Sequence, residues 1–221
     1  MIVLVNGNKN SIDLVRQDAP KLELGQLVTP LCHHGSVQGA RFAIDNGAYN
    51  RFDADKFRRV LAREKPNRGR CIFVAAPDVV GSARRTLEVF SHWYPKLAGW
   101  PVALVCQDGQ EDLDIPWRLI AGVFIGGSTE WKLSVAAEQI VRAAQAIGKW
   151  VHVGRVNTPQ RIDKFYEMGV DSIDGASFAR HGNGYSRDRK KCVTLLAHPR
   201  LAFDGSTLPA SDVAPTREGE R

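Results

Sequence analysis

Asp45, Asp78, Gln107, the pair Gly126-Gly127 and Asp174 each stand at or just past the end of a different short apolar run. One carboxylate can attack an anomeric carbon while a second transfers protons, which is the division of labour in glycosyl transfer. The same oxygens could instead bind a divalent cation. An amide, and backbone N–H groups freed by paired glycines ahead of a helix, would add donors for a carbonyl oxygen or an anion. Each position also has a plainer reading. Asp45-Asn46-Gly47 and Gln107-Asp108-Gly109 make good turns, Asp78 lies just ahead of a helix start at Ser82, and Gly126-Gly127 suits a tight strand-to-helix connection. Asp171 and Asp174 flank Ile173 and would point to opposite sides of a strand, so only one can face a site. Asp174, at the strand's end, is the better candidate.

The elements that must position these residues follow from the apolar pattern. Strands are expected at Ile2 to Val5, Leu27 to Leu31, Arg41 to Ile44, Cys71 to Ala76, Val102 to Cys106, Gly122 to Ile125, Trp150 to Val153 and Asp171 to Ile173. Helical spacing covers Asp53 to Arg63, Ser82 to Trp93, Thr129 to Ile147, Pro159 to Met168 and Arg187 to Ala197. Strand and helix alternate, so a compact α/β fold with a parallel sheet is expected, and a (β/α)8 TIM-type barrel trimmed in its first third fits best. A doubly wound sheet is the rival. Five polar strand ends spread around the sheet favour the barrel, because a doubly wound sheet gathers its ligands at one switch point.

Composition bounds the rest. The chain has 221 residues, 43% hydrophobic and 24% charged, enough for one sizeable core and unlike disordered or collagen-like sequences. Residues 1–202 read as a single barrel domain, and 203–221, rich in Gly, Ser, Pro, Asp and Glu, as a disordered tail. The apolar runs are too short to span a bilayer, and the polar Asn6 to Asn10 stretch interrupts any signal-peptide core. A net charge of +6 and a pI near 9.3 favour a polyanionic partner. Cys32, Cys71, Cys106 and Cys192 are scattered and read as thiols of a reducing cytoplasm. Cys32-His33-His34 lacks zinc-ligand spacing, and His92, His152, His181 and His198 suggest no triad.

In order and in type these motifs resemble the tRNA-guanine transglycosylase superfamily, barrel enzymes that exchange guanine in a nucleic acid for a 7-deazaguanine. Asp45-Asn46-Gly47-Ala48-Tyr49 stands where the family has Asp-Ser-Gly-Gly-Phe. Asp78 matches its next acid, Val105 to Gly109 its Val-Gln-Gly-Gly stretch, and Gly126-Gly127-Ser128 its Gly-Gly-Leu loop. Val153-Gly154 followed by Thr158-Pro159 looks like its Met-Gly strand and Thr-Pro, and Gly169 to Asp174 with Arg180 and Asn183-Gly184 like its nucleophile segment. The likeness spans residues 41–184, about two thirds of the chain. It implies Asp174 as nucleophile on C1′ and Asp45 as general acid/base. It implies that Asp78, Gln107, Gly126 and Gly127 bind the base, and that the exchange needs no cofactor and no metal.

Two departures shape the expectation. After the nucleophile segment only Cys192 and His198 remain of the cysteine and histidine zinc site carried by the tRNA enzymes, and the chain is much shorter than theirs. A compact barrel without the zinc-binding subdomain is more similar to the DNA 7-deazaguanine transglycosylases of phages and genomic islands. The expected reaction is therefore replacement of guanine in DNA by a base such as preQ0, in the cytoplasm, or the host's if phage-encoded. Partner proteins or a homodimer are open. Exchange on tRNA, a non-catalytic nucleic-acid-binding barrel, and a metal-dependent or phosphosugar barrel are the alternatives. Backbone phosphates would meet Arg155, Arg180, Arg187, Arg189, Lys190 and Lys191. A second basic run, Lys56, Arg58, Arg59, Arg63, Lys65, Arg68 and Arg70, is divided between backbone contact and plain surface. Asn46 in place of Ser, and Ala48 in place of the second Gly, leave the base specificity open.

Overall fold

The computed structural model describes residues 1–175. Eight parallel strands form a closed barrel in sequence order: β1 (Ile2–Val5), β2 (Leu24–Val28), β3 (Phe42–Ile44), β4 (Cys71–Ala75), β5 (Val102–Cys106), β6 (Gly122–Ile125), β7 (Trp150–Val153) and β8 (Ser172–Asp174). Closure runs through the pairing of β8 on β1, with Ile2 opposite Ser172 and Leu4 opposite Asp174. The compact (β/α)8 barrel is thus the fold. The helix expected at Arg187 to Ala197, the 203–221 tail, and Arg180, Arg187, Arg189, Lys190 and Lys191 lie outside the described residues.

Side-chain alternation divides the core in two. Along β1, Ile2 and Leu4 point into the barrel with Leu27, Ala43, Phe73, Val105 and Phe124. Val3 and Val5 point outward against the helices. The helices that cover the outside carry their own start signals. In α2 (Ala54–Glu64) the Asp53 carboxylate accepts from the N–H groups of Asp55 and Lys56, and Phe57, Val60 and Leu61 form the buried stripe. In α3 (Ala83–Trp93) Ser82 caps and Phe90 and Trp93 face inward; in α6 (Pro159–Glu167) Thr158 caps ahead of a first-turn proline.

Four differences from the sequence reading have physical causes. β2 begins at Leu24 rather than Leu27 and ends before Pro30. Its signal is hidden by Gly25, where a Cβ would lie 2.7 Å from Leu4 and 3.2 Å from the Arg41 carbonyl oxygen, and by the buried Gln26. Gln26 serves the loops after β1 and β2: its Nε2 donates to the Gly7 carbonyl (2.9 Å) and its Oε1 accepts from Val37 N–H (2.6 Å). A helix α1 (Lys9–Asp18), capped by Asn8, went unrecognised because its only buried residues are Ile12 and Val15. The expected Thr129 to Ile147 helix is two, α4 (Thr129–Lys132) and α5 (Val135–Ala146), because the Ser134 hydroxyl starts a second helix by accepting from Ala137 N–H. Finally, the trimming is not confined to the first third. Residues 29–41 join β2 to β3 without a helix, and a single 3-10 turn at Gln110–Asp112 replaces one between β5 and β6.

Among the described residues no helix is long and apolar enough to cross a membrane. In the second basic run, Arg58 pairs with Asp55 at 2.8 Å, Lys56 with Asp53 at 3.6 Å and Arg63 with the buried Glu64 at 2.8 Å. Arg70 donates to the Val37 and Ala40 carbonyls. Arg63 and Arg70 thus bind the fold itself, whereas the Arg58 and Lys56 pairs are solvent-exposed.

Candidate functional site

Parallel strands deliver their C-terminal ends to one mouth, and that is where the polar strand ends meet. A cavity of about 180 Å³ there is lined by Asp45, Asp78, Gln107, Gly126, Arg155 and Asp174 from six consecutive strand ends, with Tyr49 at its rim. Such a volume suits one heterocyclic base, being below the usual range for drug-sized ligands. Gly127 is not on the wall. Its N–H is donated to Gln107 Oε1 (3.1 Å) and its carbonyl accepts from the Arg155 guanidinium.

The loops are bolted together by side chains. Asn46 donates from Nδ2 to the Ala76 carbonyl and to Asp78 Oδ1, each at 2.7 Å, and accepts Ala48 N–H on Oδ1. Gln107 Nε2 donates to Asp78 Oδ2 at 2.6 Å, while its Oε1 accepts from Gly81 N–H (2.9 Å) as well as from Gly127. Asp78 is therefore fixed on both oxygens by amides from the neighbouring strands on either side. Gln107 has both oxygen lone pairs occupied, so toward the cavity it has only its remaining N–H to offer. Asp108 binds Ser128 twice, at N–H (2.7 Å) and Oγ (2.6 Å), and so ties the β5 end to the start of α4. Burial opposes that carboxylate's ionisation, but the Ser128 bonds outweigh it and hold its pKa below the ordinary value.

Asp45 and Asp78 are both pushed toward the protonated form. Burial pushes the Asp45 pKa up from 3.8 to about 7. The Gly47 N–H opposes this, the negative Asp174 and Asp78 add to it, and Arg155 offsets part. Burial raises Asp78 as well, with the Asn46 and Gln107 donors working against it. An acid half-protonated near neutrality can both give and take a proton.

Asp174 ends β8 and faces the cavity, whereas Asp171 turns away and accepts Val151 N–H on Oδ2 at 2.7 Å. Asp174 Oδ1 accepts Arg155 N–H and Oδ2 lies against His152 Nε2, both at 3.0 Å. Two backbone features allow this approach. A Cβ on Gly154 would sit 2.6 Å from the Phe124 ring and 3.4 Å from Asp174 Oδ2. Arg155, next in the chain, is the non-glycine residue with positive φ (58°) among those described, a conformation kept only where the surroundings enforce it. Its guanidinium lies 4.2 Å from the centre of the exposed Tyr49 ring. Below the loop, the buried Lys132 donates to the Gly154 carbonyl at 2.6 Å, and burial lowers its pKa to about 8.

Sequence reasoning found no triad spacing around His152, read Asp108 as part of a turn and did not single out Lys132. Spacing along the chain could not find His152, whose partners are on the adjacent strand, but the pairing of β7 with β8 sets it beside Ser172, two residues before Asp174. Among the described residues no group of three or more His, Cys, Asp or Glu is placed to hold a metal ion. No protein-family model matches the chain, and no curated protein matches it.

Proposed function

We propose that the chain is a base-exchange glycosyltransferase that replaces guanine in DNA with a 7-deazaguanine such as preQ0, through a covalent intermediate on Asp174. One observation carries the reading: two carboxylates in unlike environments, Asp174 and Asp45, face one base-sized cavity whose far wall is the clamped Asp78. The chemistry of that wall selects its ligand. Asp78 accepts hydrogen bonds and Gln107 can only donate, so the fitting edge has N–H groups beside a carbonyl oxygen. Guanine presents N1–H and the 2-amino group next to O6, and 7-deazaguanines share that edge. Tyr49 offers a flat face at the rim.

The steps balance without a further reactant. An Asp174 oxygen forms a bond to C1′ as the bond from C1′ to the base nitrogen breaks, and protonated Asp45 gives its proton to the departing guanine. The incoming deazaguanine then attacks C1′, the ester bond breaks, and Asp45 takes the proton lost from the attacking nitrogen. The target nucleoside has to leave its stack, at a cost of a few kcal/mol. Exposed Arg51, which follows Asn50 of the cavity wall, and exposed Arg84 and Arg85 at the start of α3 give the mouth a positive rim suited to phosphates.

The choice of DNA rests on the resemblance to the compact branch. The test offers guanine-containing duplex DNA and, separately, unmodified tRNA with preQ0 to the protein, followed by nuclease digestion and mass spectrometry of nucleosides. The expected product is a deazaguanine deoxynucleoside that disappears in Asp174→Ala. A modified ribonucleoside would move the protein to tRNA. No product from either substrate, with DNA still bound, would leave a non-catalytic nucleic-acid-binding barrel.

A further inference from the structure

The barrel interior under the mouth is apolar except at one place. His152, fully buried on β7, is packed against the rings of Phe73 and Phe124, whose centres lie 4.9 and 4.5 Å from its own. It is joined to a polar chain that begins at the barrel floor and ends at the cavity. Trp150 Nε1 is 2.9 Å from Ser172 Oγ, Ser172 Oγ is 2.9 Å from His152 Nδ1, and His152 Nε2 is 3.0 Å from Asp174 Oδ2.

The chemistry of the four groups orders the protons. An indole N–H only donates, so Ser172 Oγ accepts from Trp150. The serine hydroxyl hydrogen is then available for Nδ1, which leaves the ring proton on Nε2, directed at the carboxylate. The opposite tautomer would set a nitrogen lone pair against a carboxylate oxygen at 3.0 Å and leave the serine hydrogen without this acceptor. Strand geometry explains why the chain is continuous: Trp150, His152 and Gly154 share the inward face of β7, and Ser172 and Asp174 share that of β8, in register.

We infer that His152 is a positioning residue for Asp174, held by Ser172 and Trp150 as the Nε2–H tautomer. Its bond and the Arg155 N–H fix the carboxylate plane from two sides. When the glycosyl ester breaks and negative charge returns to Asp174, a donor is already aimed at it and needs no rearrangement. The positioning role rests on the transglycosylase reading of Asp174; the tautomer does not.

The test is made on the full chain. Nitrogen-15 NMR of the labelled histidines, with His152 assigned by its loss in His152→Phe, reads the tautomer directly; Nε2–H with bare Nδ1 is expected, and a protonated Nδ1 overturns the assignment. Alongside it, base exchange is measured for His152→Phe, His152→Gln and Ser172→Ala, each checked for an unchanged melting profile. His152→Phe should lower kcat on the order of a hundred-fold with KM near that of wild type. His152→Gln, which keeps a donor, should recover part of it, and Ser172→Ala should fall between. Full kcat in His152→Phe, or a loss confined to KM, refutes the positioning role. Where His152→Phe does not fold, His152→Gln and Ser172→Ala decide: wild-type kcat in both refutes it as well. Failure of the wild type to exchange any base would instead count against the transglycosylase reading, with the tautomer still decided by the spectra.

Discussion

Replacing Asp45 by Asn should stabilise the protein at neutral and alkaline pH and do little in acid. Unfolded, this carboxyl releases its proton near 3.8; folded, it keeps it to about 7. Between those values the folded state holds one proton more than the unfolded state, so stability falls as pH rises through the interval and is level above it. At roughly 1.36 kcal/mol per pH unit, the interval amounts to about 4 kcal/mol, less whatever cavity water screens. Asn keeps an acceptor for Gly47 N–H and removes the negative charge that Asp174 and Asp78 repel. Urea unfolding of wild type and Asp45→Asn at pH 4, 6 and 8 gives the comparison. The stability difference should be small at pH 4 and grow to a few kcal/mol in favour of Asn at pH 8. A difference independent of pH would refute the argument, because it would mean that the folded protein does not hold this proton. The outcome bears on the site's electrostatics whatever base, if any, the cavity binds.

Other substitutions test the scaffold of the mouth. Gly154→Ala places a methyl group 2.6 Å from the Phe124 ring and should cost about 1–3 kcal/mol in chemical denaturation. Arg155→Gly and Arg155→Ala lose the same contacts to Gly127 and Tyr49, yet the glycine variant should be the more stable by about 1 kcal/mol, because only glycine takes a φ of 58° freely. Gln107→Leu strips partners from Gly81 N–H, Gly127 N–H and Asp78 together; a loss on the order of 3 kcal/mol is expected in thermal or urea melts. If Asp45 protonates the leaving base in the slow step, exchange should decline above about pH 7 as that proton is lost, a limb visible in the pH–rate profile.

The barrel could be read from the chain because β1, β3, β4, β5 and β6 are unbroken apolar runs, as buried parallel strands tend to be, while β7 and β8 depart from that pattern at His152, Ser172 and Asp174. β2 carries Gly25 and Gln26 for close packing and loop support, and no propensity rule anticipates either. Asp45, Asp78 and Asp174 were visible because a carboxylate ending an apolar run is conspicuous. The raised pKa values of Asp45 and Asp78 were not, since these depend on burial and on which oxygens receive N–H groups from other strands. Gln107 shows the same limit: its residue type suggested a base reader, and only the pairing of its oxygen with Gly81 and Gly127 reveals how little of the amide is left for a ligand. Helix α1 and the break at Ser134 were obscured by sparse or overly regular apolar spacing.

The pairing of β8 on β1 joins residues some 170 positions apart, Ile2 with Ser172. Contacts that distant in sequence form slowly, because the intervening chain has to be gathered before they bring any reward. Asp174 sits on the strand that makes this seam, and its partners His152 and Arg155 belong to β7 and the turn after it. A folding intermediate with β1 to β6 assembled would already carry Asp45, Asp78 and Gln107 but would lack Asp174. During synthesis, the Asp174 side of the cavity is thus completed only when the cylinder itself closes, and a chain stalled before β8 carries the carboxylates of β3 and β4 without the one that faces them.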